Sequence, residues 1–135
     1  MRIATLLTLA GLVLGGPAFA ADAKDLDGKW VIVSVERAGK ADEAFKGAVR
    51  EIKDGKYTLT PKEGKPLEGT FTVDGAKKTI DIKPTEGNYK GKTLLGIYKL
   101  EGDMLTVCFA EPDQERPTEF ASKAGVVLVV HQRHK

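Results

Sequence analysis

The sequence predicts an all-β protein, an antiparallel up-and-down β-barrel of about eight strands. Three observations carry this. Apolar and polar residues alternate with a period of two in short segments along most of the chain. Turn signals recur at intervals of roughly 8–12 residues. Neighbouring segments are joined as consecutive hairpins, whereas a two-sheet sandwich usually needs longer Greek-key crossovers.

The clearest element is the hairpin within Lys92 to Ala110. With Gly102-Asp103 as its turn, Glu101 faces Met104 and Leu100 faces Leu105. Alternation then gathers Leu94, Gly96, Tyr98 and Leu100 on one face with Leu105, Val107 and Phe109.

Upstream, Lys29 to Glu36 is the first strand. Trp30, Ile32 and Ser34 alternate with Val31, Val33 and Val35, so both faces carry apolar groups and the strand is expected to be covered on both sides. Ala41 to Lys46 reads equally well as one or two helical turns anchored by Phe45 or as a plain loop. Ala48 to Lys53 and Lys56 to Thr60 flank Asp54-Gly55, a strong two-residue hairpin signal that sets Ile52 opposite Tyr57. Gly69 to Val73 and Lys77 to Lys83 alternate on either side of a turn begun by Asp74-Gly75. The last strand is Val126 to Arg133, with Thr118 to Ser122 as a candidate short extension before it.

Residues 1–20 are read as a secretory signal peptide. Arg2 precedes an apolar run from Ile3 to Leu14, and Ala18-Phe19-Ala20 is a small-x-small cleavage site. The run is too short and too weakly flanked for a membrane anchor. Residues 21–27 then form a mobile leader, and 28–135 a single domain, exported to the periplasm or beyond. The formal net charge of +2 gives no electrostatic reason to expect nucleic acid. Cys108 is the single cysteine, so packing and strand pairing must hold the domain without an internal disulfide.

Motifs for chemistry are sparse. Gly87-Asn88-Tyr89-Lys90-Gly91-Lys92-Thr93 has three residues between its glycines where a phosphate-binding loop has four, and a strand follows where that loop needs a helix. His131 and His134 point to opposite faces of a strand, so they read as surface or barrel-end residues and no metal site is assigned. Cys108 lies between Val107 and Phe109 in a strand, which suits a small buried hydrophobe better than a reactive thiol. Asp81 and Glu86 read as solvated carboxylates. Arg116 either presents a guanidinium at the barrel mouth for a carboxylate or locks its loop by pairing with Glu119 or another carboxylate; the second reading is favoured. With no catalytic motif and no cofactor signature, the chain is not expected to be an enzyme.

Gly28-Lys29-Trp30 resembles the Gly-x-Trp signature of lipocalins. That resemblance implies a Trp30 that closes one end of a barrel and an arginine of the last strand, here Arg133, packed across it. The chain is shorter than a lipocalin and lacks the long C-terminal helix and the Thr-Asp-Tyr motif. Several ordered segments resemble the planctomycete-type lipocalin-like domain. They are Gly28-Lys29-Trp30 with Ser34, Lys78-Thr79-Ile80-Asp81, Gly91 to Tyr98, Gly102 to Leu105, Val107-Cys108-Phe109 and Arg116 to Phe120. This resemblance implies a small exported bacterial domain with a lipocalin-like barrel, and no established chemistry.

The expected function is binding of a small, partly apolar ligand inside the barrel, with Trp30, Tyr57, Phe71, Tyr98, Leu105, Phe109 and Arg116 as candidate ligand-binding residues. The rival is a barrel filled by its own side chains that serves as an envelope or protein-interaction module. An enzyme using Arg116, Tyr98 and a carboxylate is the weakest reading. The expected partners are accordingly a small apolar ligand or an envelope protein, with no nucleic acid and no membrane span.

Overall fold

The computed structural model describes residues 23–134. The expected signal peptide and its cleavage site lie outside the described residues. A short 3₁₀ turn, Ala23–Leu26, leads into nine strands: β1 Gly28–Arg37, β2 Lys40–Ala41, β3 Val49–Lys53, β4 Lys56–Thr60, β5 Leu67–Asp74, β6 Thr79–Pro84, β7 Leu94–Glu101, β8 Met104–Ala110 and β9 Val126–Arg133. Apart from the two-residue β2, which pairs antiparallel with the end of β1, each strand pairs antiparallel with the next, and β1 pairs with β9. The protein is thus a closed eight-stranded up-and-down barrel, consistent with a calycin-like fold.

The hairpins have the register read from the sequence. Ile52 faces Tyr57 across Asp54 (φ 50°) and Gly55 (φ 78°), whose positive dihedrals make the turn that matches strand twist. Leu100 faces Leu105 and Glu101 faces Met104 around Gly102 (φ 60°).

Alternation carried through this register aims one set of side chains into the barrel. Examples are Trp30 and Ile32 of β1, Ile52 of β3, Tyr57 of β4, Phe71 of β5, Ile80 of β6, Tyr98 of β7, Leu105 of β8 and Val129 of β9, all buried.

Three expectations are corrected, and the open choice at residues 41–46 is decided as a loop. β1 is not covered on both faces. Its pairing with β9 shifts register between Ile32 and Ser34. The extra residue of that bulge is Val33, which lies 40% exposed, while Trp30, Ile32 and Val35 all turn inward. Apolar residues of both parities therefore serve one face, because the bulge switches the phase. Residues 41–46 hold no helix; a tight turn over 44–47 follows Asp42, whose Oδ1 accepts the Ala44 amide at 2.9 Å. Residues 118–122 are not a strand but part of a loop laid over the outer wall. Residues 23–27 are not a free leader. Leu26 is wholly buried, and the Asp25 and Asp27 carbonyls accept from the Arg133 guanidinium at 3.3 and 3.1 Å.

These last contacts close one end of the barrel. Trp30 is fully buried and donates Nε1–H to the Leu26 carbonyl at 2.9 Å. The Arg133 guanidinium lies 4.2 Å from the centre of the Trp30 ring, and its Nε is 3.7 Å from the Asp103 carboxylate. The tryptophan–arginine lid that the lipocalin resemblance implied is therefore present in geometry.

Candidate ligand-binding cavity

The opposite end of the barrel is open inside. A cavity of about 230 Å³ lies between the walls, rimmed by Phe45, Leu67 and the β6–β7 connection at residues 86–89. A smaller chamber of about 30 Å³ lies deeper, toward Leu26. Arg50, Tyr57, Ile82, Phe109 and Val129 line both, so they stand where the two meet. Eight strands enclose room for packed side chains or for one small ligand, and this interior is packed at the Trp30 end only.

Glycine creates part of the shape. A Cβ on Gly69 would come within 2.5 Å of the Tyr57 ring and hydroxyl, so the ring occupies the space a side chain on β5 would take. Gly96 has a different role. A Cβ there would lie 2.7 Å from the Cys108 carbonyl and 3.0 Å from Phe109 Cβ, and it would press on Ile80. Gly96 thus lets adjacent strands close up; it admits neither Trp30 nor Phe71 and adds no room to the cavity.

The rim is polar and internally paired. Arg37 Nε donates to Asp42 Oδ2 at 2.7 Å, and the Tyr89 hydroxyl donates to Glu111 Oε2 at 2.7 Å. The Ala44 amide, then Arg37, hold the Asp42 carboxyl below the usual carboxylate range. Burial, then Glu111, push the Tyr89 phenol up.

The junction of the two chambers is polar but unpaired. Register sets Arg50 of β3 beside Trp30 of β1 and Leu59 of β4, on the inner face. Its guanidinium carbon lies 4.9 Å from the centre of the Tyr57 ring. Its Nε is buried with no hydrogen-bond partner. Desolvation pulls the guanidinium below its ordinary pKa and pushes the Tyr57 phenol up.

His131 of β9, 1% exposed, lines the deeper chamber. Its Nδ1 lies 3.0 Å from the Leu105 carbonyl, so that nitrogen carries the proton. Nε2 is then a bare acceptor, buried and without a partner. Burial, then the Arg50 charge, lower the His131 pKa to about 3, and the ring is neutral near neutral pH.

Of the sequence-predicted site residues, Tyr57, Phe71, Leu105 and Phe109 line the interior space. Trp30 and Tyr98 point inward but are packed away from it, at 0% and 1% exposure. Arg116 lies on the outside. Its Nη1 donates to the Ile80 and Gly96 carbonyls at 3.2 and 2.9 Å, and its Nη2 donates to Asp81 Oδ1 at 2.8 Å. It locks the β8–β9 loop to β6 and β7, as the favoured reading had it, with Asp81 and not Glu119 as its carboxylate. Asp81 is correspondingly ion-paired, not merely solvated.

The same loop covers Cys108, whose Sγ lies 3.5 and 3.6 Å from the Glu119 and Ala121 carbonyls. Burial raises the thiol pKa, which opposes reactivity.

The reading of the residues missed Arg50 and placed His131 at a surface or barrel end. Both were accessible to the same alternation that oriented their neighbours. Arg50 shares the parity of Ile52, and His131 that of Val127 and Val129. Among the described residues, no group of three His, Cys, Asp or Glu is placed to hold a metal ion. No family model, curated protein or solved structure matches the chain.

Proposed function

We propose that this chain is an exported lipocalin-like domain, akin to the planctomycete-type domain it resembles, that binds a small, partly apolar ligand inside its barrel without transforming it. The observation that carries the binding reading is the cavity of about 230 Å³ on the side away from the Trp30 floor. Its walls include Ile32, Leu59, Leu94 and Val127, and it opens between connections, not through the sheet. A barrel serving only as an interaction module has no need of such a space, since filling it with side chains adds stability. Export is supported by the Arg2, Ile3–Leu14 and Ala18-Phe19-Ala20 pattern.

Fluorescence titration with an apolar naphthylamine dye tests the binding reading. The dye is expected to bind the folded protein with one site and to be excluded by Leu67→Trp, a substitution at the half-buried rim that projects an indole across the mouth. No dye binding by the parent protein, or equal binding by the variant, overturns it. Export is tested by N-terminal sequencing of protein recovered outside the cytoplasm. Ala21 is the expected first residue, and an intact Met1 refutes the cleavage.

A further inference from the structure

We infer that the ligand is an amphiphilic monocarboxylate, bound with its carboxylate inward against Arg50 and its apolar body in the larger cavity toward the mouth. This rests on the reading of the barrel as a ligand-binding cup and adds the chemical class and the orientation of the ligand.

Arg50 and Arg133 both stack on aromatic rings. Arg133 has the Asp25 and Asp27 carbonyls and the Asp103 carboxylate around it. Arg50 has the Tyr57 ring face and, among the described residues, no carboxylate in an ion pair with it, and its Nε is a buried donor without an acceptor. Arg50 as a whole is half-buried, yet a guanidinium donor withdrawn from water is costly unless an acceptor replaces its hydration.

His131 of β9, whose pKa the Arg50 charge lowers, does not compensate it. His131 is neutral and offers a lone pair, not a charge. Its bare Nε2 is an acceptor that a carboxylate cannot meet, and most of the chamber's lining is apolar, including Leu26, Ile52, Phe71 and Ile80, so the anionic head belongs at Arg50 and not beside His131.

The shape supplies the orientation. Arg50 stands at the junction of the two chambers. The deeper one, about 30 Å³, is too small for the body of a ligand, while the cavity on the mouth side is about 230 Å³ and has apolar walls. A head held by Arg50 at that junction and a hydrocarbon body in the outer cavity define an amphiphile. The forked guanidinium selects a planar carboxylate as the head, because two parallel N–H donors meet its two oxygens. An amine in the same place would meet like charge.

Calorimetric titration with octanoate, 1-octanol and octylamine tests the inference, alongside the naphthylamine dye. Octanoate is expected to bind at least tenfold more tightly than 1-octanol, and octylamine more weakly than either. In Arg50→Gln the octanoate advantage is expected to fall to about onefold while 1-octanol binding is unchanged, which also shows that the variant is folded. If that variant does not fold, Arg50→Lys is measured instead, and the preference for octanoate is expected to shrink but persist.

Equal binding of octanoate and 1-octanol by the parent protein overturns the carboxylate and leaves the binding cup standing. A preference for octanoate that survives Arg50→Gln undiminished overturns the assignment to Arg50. Failure of the dye and of all three octyl compounds to bind removes the cup itself, and the inference with it.

Discussion

Arg133 on Trp30 and Arg50 on Tyr57 are the same kind of contact, a guanidinium over a ring, at 4.2 and 4.9 Å. They belong to opposite conditions. Arg133 seals the floor, where carbonyls of the 3₁₀ turn region and the Asp103 carboxylate meet its donors. Arg50 stands inside, next to open space, with a donor left over. A cation–π contact offsets part of the cost of a desolvated charge, yet it supplies no hydrogen-bond acceptor. The first pair therefore reads as structure, while the second leaves a donor that the ligand proposed above would meet.

The largest test of this contrast is Trp30→Ala. Removing the fully buried indole, its bond to Leu26 and the platform for Arg133 is expected to cost about 3–5 kcal/mol in urea unfolding. A loss under about 1 kcal/mol would mean the floor is not closed by packing.

The interior pair has its own signature in pH. His131 has a folded pKa of about 3, below the ordinary 6.5 of an unfolded chain. Between these values the unfolded state binds the extra proton, so the stability contribution is present above pH 6.5 and is lost as pH falls toward 3. Between pH 6.5 and 5 the expected loss is about 2 kcal/mol, and His131→Gln should flatten that part of the profile. A profile unchanged by the substitution would show that the ring is not held neutral by burial.

Gly69→Ala probes the seat of Tyr57. The new methyl would stand 2.5 Å from the ring. Overpacking is expected to cost roughly 1–3 kcal/mol and to weaken dye binding, because the ring that supports Arg50 must move. Loss of stability with dye binding intact would separate Tyr57 from the cavity.

The smallest effect is the most pointed, since it asks for a difference in sign. Arg133→Met removes a satisfied cation and is expected to cost about 1 kcal/mol. Arg50→Met removes an unsatisfied one and is expected to be neutral or stabilising by about 1 kcal/mol, measured as the shift in urea midpoint. Equal losses in the two variants would erase the distinction between the arginines.

Much of the barrel was legible before any coordinates. Asp54-Gly55 and Gly102-Asp103 announce their hairpins, because few residues tolerate the positive dihedrals that a two-residue turn imposes. Trp30 and Arg133 could be matched from the Gly-x-Trp start. The β1 bulge was not legible. It inserts Val33 without any local residue demanding it, and only the pairing with β9 reveals the change of phase.

The candidate site was legible in halves. Period-two alternation put Tyr57, Phe71, Leu105 and Phe109 inside correctly. The same rule applied without regard to polarity would have found Arg50 and His131, which were passed over because charged and titratable side chains usually face water.

The sequence by itself determined the order of the strands, their antiparallel pairing and, outside β1, the face of most apolar side chains, because turn chemistry and a period of two are local properties of a chain. Only the tertiary structure decided that Gly96 would draw strands together while Gly69 made room for a ring. It alone placed Arg116 on the outer wall and left Arg50 unpaired beside a cavity. Those outcomes depend on which residues from distant strands meet after the barrel closes, and on the volume left when they have met. No local pattern encodes either quantity.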